Sequence, residues 1–204
     1  MTAHLKPATD LAERVLLPSN PHRALAIAQH LLEGPRMFNH AHGLWGYTGI
    51  APDGAQLTVQ STGVGGPSAA IVTEELIGLG ARRLVRVGSG RALAELEPDA
   101  LVAAERVLSG DGASAALGAN GALGSDPVLL ERLVAAGATP GTVVTTDLFY
   151  GEPPAGGSVV DLEAGAILQV AARHGVPAAC VLALAADEQL ALRAGEAGYA
   201  AVSP

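Results

Sequence analysis

Short apolar runs alternate with helical patterns along the chain, and this alternation dictates the fold class. The segments "RVLLP" (14–18), "RMFNH", "LWGYTGI", "AQLTVQST", "RRLVRVGS", "LVAAERVL" (101–108), "GTVVTTDLF", "SVVDLE" and "PAACVLALAA" read as strands. Between them lie "NPHRALAIAQHLL", a stretch from Gly66 to Leu79, "DPVLLERLVAAG" and "EAGAILQVAARHG", which read as helices, and "DEQLALRAGEAG" reads as a short final helix. Asn20 and Asp126 are placed to cap their helices, Pro21 opens one, and Gly80 closes another. Ala69, Val72, Leu76 and Leu79 form the apolar stripe of the second helix. Strands alternating with helices specify an α/β domain with a central mixed β-sheet flanked by helices. No internal repeat or linker divides it, so residues 1–204 are expected to form one domain.

The core must be aliphatic, because apolar residues make up 49% of the chain and aromatic residues only 3%. A formal net charge of −8 leaves no basic footprint for nucleic acid. One cysteine, Cys180, excludes an internal disulfide and a cysteine-based zinc cluster, and it reads as a small core residue. The N-terminus has no apolar signal region, and no run approaches the length of a membrane span. The expectation is a cytoplasmic protein with no membrane partner.

In α/β sheets ligands collect at the carboxyl ends of strands. Three such ends should therefore be neighbours: "LPSNPHR", "STGVGGPS" and "RVGSGR". The Gly63–Ser68 turn is neither a dinucleotide fingerprint nor a Walker loop, since Ser68 stands where the first needs Gly and no Gly-Lys pair supplies the second. Alone it reads as a structural turn. Arg23, Arg86 and Ser89 beside it change that balance, because guanidinium forks, a hydroxyl and open backbone N–H groups together suit a phosphate.

The run "STGVGGPSAAIVTEELIGLGARRLVRVGSG" resembles the core signature of the nucleoside phosphorylase family, which includes hexameric bacterial purine nucleoside phosphorylases and uridine phosphorylases. "LPSNPHR", "HGLWGYTG" (42–49), "TTDLFY" (145–150) and "VDLEAGAI" (160–167) resemble further family motifs in the same order, so the likeness covers nearly the whole chain. It implies phosphorolysis of a ribonucleoside to free base and α-ribose-1-phosphate, with inorganic phosphate as co-substrate, no cofactor and no metal. By resemblance, Ser19, Arg23, His42, Arg86 and Ser89 fall at phosphate positions, and Glu163 at the carboxylate that binds the ribose hydroxyls. Leu162 falls under the sugar, Phe149 against the base, and His4 at a histidine that a neighbouring subunit lends to the 5′-hydroxyl. A homo-oligomer built from dimers, up to a hexamer, follows from that last role.

Several positions depart from the pattern. Ser19 and Asn20 replace Gly and Asp, and His42 replaces an arginine lent across the subunit interface. The carboxylic acid that protonates the departing purine aligns without gaps to Ala186, with Asp187 one residue later, where it serves either as that catalytic acid or as a helix cap. The connection "GEPPAGG" and the C-terminus are short, and the Gln-x-Arg motif that reads uracil is absent. That absence favours a purine nucleoside as substrate over uridine, whereas "STGVGGPS" itself looks more like the uridine branch. A nucleosidase using water, and an impaired nucleoside-binding protein, are the alternatives. His40 and His42 in "NHAH" would share a face if they lay on a strand, although nothing nearby completes a metal site. "SGDGASAALGANGALGS" (109–125) reads as a long loop, and His22, His30 and His174 as surface histidines.

Overall fold

A computed structural model of the protein describes residues 2–152, 154–184 and 187–204. The elements run β1 (Arg14–Leu17), α1 (Pro21–Leu31), β2 (Glu33–Asn39), β3 (Gly46–Ile50), β4 (Gln56–Gln60), α2 (Gly66–Leu79), β5 (Arg83–Ser89) and β6 (Arg91–Ala92). They continue with β7 (Leu101–Gly110), α3 (Gly112–Ala116), β8 (Ala122–Leu123), α4 (Pro127–Ala135), β9 (Thr139–Thr146), β10 (Val159–Asp161), α5 (Ala164–Arg173), β11 (Ala178–Ala183) and α6 (Glu188–Val202). No helix among the described residues is long and apolar enough to cross a membrane.

One mixed sheet carries all the strands in the order β2-β3-β4-β1-β5-β11-β7-β9-β10-β6, with β8 on β7. The period-two alternation of strands places successive residues on opposite faces. Leu16, Val85, Val87, Ala179 and Val181 pack with α1, α4 and α6. Val15, Leu17, Leu84, Cys180 and Leu182 pack with α2 and α5 on the other side. Both faces are buried, which is why these strands read as continuous apolar runs rather than alternating ones.

The sheet also curls. β6 follows β5 after the single residue Gly90, yet it pairs with β10 at the far end of the strand order. The path from β5 through β11, β7, β9 and β10 thus returns to its start. Gly90 permits the closure, for a Cβ there would lie 3.1 Å from both Leu182 and the Val160 carbonyl. Closure brings the end of β5 against the end of β10, and the site is built there.

The predicted caps are present. Asn20 accepts from the N–H groups of His22 and Arg23, and Asp126 from those of Val128 and Leu129. Gly80 ends α2 with φ 118°. Four expectations need correction. Leu79 is 38% exposed, because Thr73 and Ile77 occupy the buried face of α2 instead. The stretch 109–125 contains α3, capped by Asp111, and β8, paired to β7, neither long enough to show an apolar period. His40 and His42 are not on a strand. β2 stops at Asn39, whose amide donates to the carbonyls of Ala41 and Leu44 and closes a 3-10 turn with His42 at φ 57°. Finally α6 is not short: it runs 15 residues.

Candidate active site

Arg86 lies at the centre of the site. By alternation with Leu84 its side chain leaves β5 on the α2/α5 face, where it is 1% exposed. It runs along the strand over Gly88, where a Cβ would come within 2.7 Å of the guanidinium carbon and Nη2. Its Nε donates to Asp161 Oδ2 at 2.8 Å and its Nη2 to Glu163 Oε2. Burial opposes the charge, but the Glu163 and Asp161 carboxylates outweigh it and hold the guanidinium protonated above its ordinary range. Nη1 is buried and has no partner among the described residues.

Asp161 is fixed from all sides. Its Oδ1 accepts from Thr145 Oγ1 across the β9–β10 pair. Its Oδ2 accepts from the backbone N–H groups of Glu163 and Ala164 at the start of α5. Glu163, 3% exposed, accepts from the Gly65 N–H at 2.8 Å. Burial raises its carboxyl above the usual range, Asp161 adds to the rise, and Arg86 opposes it.

The glycine turn therefore grips the protein's own carboxylate. Two more of its donors are engaged, Thr62 N–H with the Pro18 carbonyl and Gly63 N–H with the Ser19 carbonyl. These bonds bring together the three strand-end segments expected to be neighbours. The open backbone donors expected for a phosphate are, at Thr62, Gly63 and Gly65, bonded within the chain. Ser19 and Arg23 are half-buried, on the loop and first turn that these bonds anchor. Burial, and then the charge of Arg86, lower the Arg23 guanidinium from its usual range, while Asp187 opposes the shift.

Beside this network is a cavity of about 250 Å³. Ser89, Asp161 and Leu162 line it, together with Leu148, Phe149, Leu184 and Arg91. Phe149 is 60% exposed, packed edge-on to Tyr150 with ring centroids 5.0 Å apart. Ser89, Phe149 and Leu162 are thus brought together as the sequence implied. His4 and His42 form a separate pair, their ring centroids 5.5 Å apart. Glu75 fixes His4 by accepting from its Nδ1 and from the N–H groups of Ala3, His4 and Leu5. Asp187 caps α6 by accepting from the Leu190 N–H, and lines a cleft with Asn20 and Arg23 rather than the Phe149 cavity. The gap-free alternative, Ala186, lies outside the described residues. Among the described residues no group of three or more His, Cys, Asp or Glu side chains can hold a metal ion.

A family model described as the phosphorylase superfamily matches residues 13–202. The chain belongs to the phosphorylase superfamily. Its relatives include DeoD-type purine nucleoside phosphorylases. The one from Caldanaerobacter subterraneus subsp. tengcongensis is 31% identical over 194 residues, covering 85% of this chain and 82% of the relative. The one from Clostridium perfringens is 34% identical over 193 residues, covering 85% and 81%. The one from Geobacillus kaustophilus is 33% identical over 205 residues, covering 89% and 84%. In fold the chain is similar to the crystal structure of uridine phosphorylase from Vibrio fischeri, with a TM-score of 0.80, 21% identity and coverage of 94% and 90%.

Within this phosphorylase-superfamily site, sequence reading singled out Arg86 and Glu163 but not what joins them. In sequence Asp161 reads only as a residue that could share a strand face with Glu163, its neighbour, and Thr145 and Gly88 carry no signal of their own. Asp161 carried one available signal: a charged residue closing an apolar strand needs a partner, and Arg86 ends another such strand. Arg91 was legible only as the last letter of "RVGSGR".

Proposed function

We propose that the chain is a purine nucleoside phosphorylase. Phosphate attacks C1′ of the nucleoside, the C1′–N9 bond breaks, and its electron pair leaves with the base. The observation that carries this reading is the buried Arg86–Asp161–Glu163 network, with an Nη1 that has no partner among the described residues, next to a cavity holding Phe149 and Leu162. Arg86, Arg23, Ser19 and Ser89 would bind phosphate, and Glu163 the ribose hydroxyls. In an oxocarbenium-like transition state the phosphate and Glu163 supply negative charge beside the developing positive charge. The DeoD-type relatives support the purine branch. The adjacency of His4 and His42 supports a homo-oligomer in which one surface lends both histidines to a neighbouring subunit. The enzyme would act in the cytoplasm, without a cofactor.

Base release from inosine, guanosine, adenosine and uridine, with and without phosphate, tests the reading. Release is expected from purine nucleosides and only with phosphate. Equal release without phosphate would make water the acceptor, and preference for uridine would overturn the purine assignment.

The role of Asp187 is tested by Asp187→Asn. Asparagine caps a helix about as well as aspartate, so the melting temperature should hold. Because the carboxylate is engaged at α6 and lies in the Arg23 cleft, purine release is expected to stay within about threefold of wild type, well below the roughly hundredfold or greater loss that follows removal of a general acid. A loss of that size would restore Asp187 as the acid.

A further inference from the structure

We infer that Arg91 selects the base, favouring 6-oxopurines over 6-aminopurines; this rests on the cavity being the base subsite of the proposed phosphorylase. Arg91 is the only cationic side chain lining that cavity among the described residues, where its neighbours include Leu148, Phe149, Leu162 and Leu184. Its backbone is held on β6 by antiparallel pairing with Val160, itself part of the cavity wall. Among the described residues its guanidinium has neither a salt-bridge partner nor a hydrogen-bond acceptor, so its donors are available to a ligand.

The chemistry of the wall is one-sided. A guanidinium offers five donors and no acceptor. The cavity's one carboxylate among the described residues, Asp161, has a fully buried side chain turned to Thr145, Arg86 and the backbone of Glu163 and Ala164, so it is out of reach of an exocyclic amine. A 6-oxopurine presents O6 and N7 as adjacent acceptors that match the two prongs of the fork. A 6-aminopurine presents N7 beside an amino donor, which meets an N–H group head-on. Discrimination of about ten- to hundredfold is the usual size of such a mismatch.

The same contact serves the reaction. When C1′–N9 breaks, the electron pair spreads over the imidazole ring and O6. A cation donating to N7 and O6 stabilises that anion until a proton from the phosphate ester or water neutralises it. Arg91 thereby stabilises the leaving group where Asp187 is turned into another cleft.

Calorimetric titration of wild type and Arg91→Met with hypoxanthine and adenine decides the matter, alongside kcat/KM for inosine and adenosine. Wild type is expected to bind hypoxanthine at least tenfold more tightly than adenine. In Arg91→Met that ratio should fall to within about threefold, through weaker hypoxanthine binding, and the inosine-to-adenosine ratio of kcat/KM should fall with it. Equal affinities in wild type, or a preference retained by Arg91→Met, would overturn the inference. If the variant fails to fold, 7-deazahypoxanthine, which lacks the N7 acceptor, gives the same test on wild type: it should bind at least tenfold more weakly than hypoxanthine, and equal binding would remove Arg91 from the base edge. Base binding needs neither phosphate nor turnover. Failure of phosphate-dependent cleavage would therefore sink the phosphorylase reading while the binding ratio still decides Arg91.

Discussion

Arg86→Ala is expected to lower the melting temperature by roughly 6–20 °C and to abolish phosphate-dependent base release. The stability loss has a specific origin. Removing one partner of a buried ion pair leaves an uncompensated charge and costs about 3–5 kcal/mol. For a chain of this size each kcal/mol moves the midpoint by about 2–4 °C. Here two carboxylates, Asp161 and Glu163, would lose their common cation at once, and both are at most 4% exposed. The loss should shrink as pH falls, because the Glu163 carboxyl, already raised by burial and freed of the opposing Arg86 charge, protonates and removes a charge left unpaired.

A fall in melting temperature alone would not distinguish structure from function, so Arg86→Lys is the companion variant. Lysine keeps one positive charge in the pocket but cannot serve Asp161, Glu163 and an anion through one planar fork. It should recover much of the lost stability and little of the activity, with an apparent KM for phosphate raised at least tenfold. Differential scanning calorimetry with phosphate-dependent kinetics provides the check. A stable Arg86→Lys enzyme with wild-type phosphate dependence would show that Arg86 only holds the carboxylates together.

The parts of this molecule legible in its sequence are those governed by local rules. Strand period, helix caps at Asn20 and Asp126, and the Gly80 stop are each set by a few adjacent residues, and all are present. What could not be read is set by closure of the sheet. Nothing in "RVGSGR" says that β6 leaves β5 to pair with β10, yet this pairing brings Asp161 to Arg86 and Arg91 to the cavity. The glycine turn was ambiguous for the same reason. Its donors suit any anion, and only the fold shows that one of them, the Gly65 N–H, already holds Glu163. His40 reads as the end of a strand by pattern, but the Asn39 side chain ends the strand first by bonding the next turn.

Glu163→Gln should reduce kcat/KM for inosine about hundred- to ten-thousandfold while leaving the protein folded. Each oxygen of Glu163 already accepts one bond, from Gly65 N–H or from Arg86 Nη2, and each keeps a second lone pair. Two remaining acceptor sites on one carboxylate match two adjacent ribose hydroxyls. Glutamine has a single carbonyl oxygen, so its amide must turn donors toward Gly65 or Arg86, and one of the two bonds becomes a repulsion. That costs roughly 1–3 kcal/mol of stability, less than the loss at Arg86→Ala. Hydrogen bonds to a charged group are worth about 1.5–3 kcal/mol each, and losing two of them gives the stated range in rate. Removal of the negative charge beside the oxocarbenium-like centre acts in the same direction. The decisive comparison is between sugars. If Glu163 holds both hydroxyls, inosine should suffer far more from Glu163→Gln than 2′,3′-dideoxyinosine, which has no hydroxyls there to hold. Equal losses for the two nucleosides would mean that Glu163 acts through Arg86 and the Gly65 turn, as a positioning residue for the phosphate rather than a ligand of the sugar.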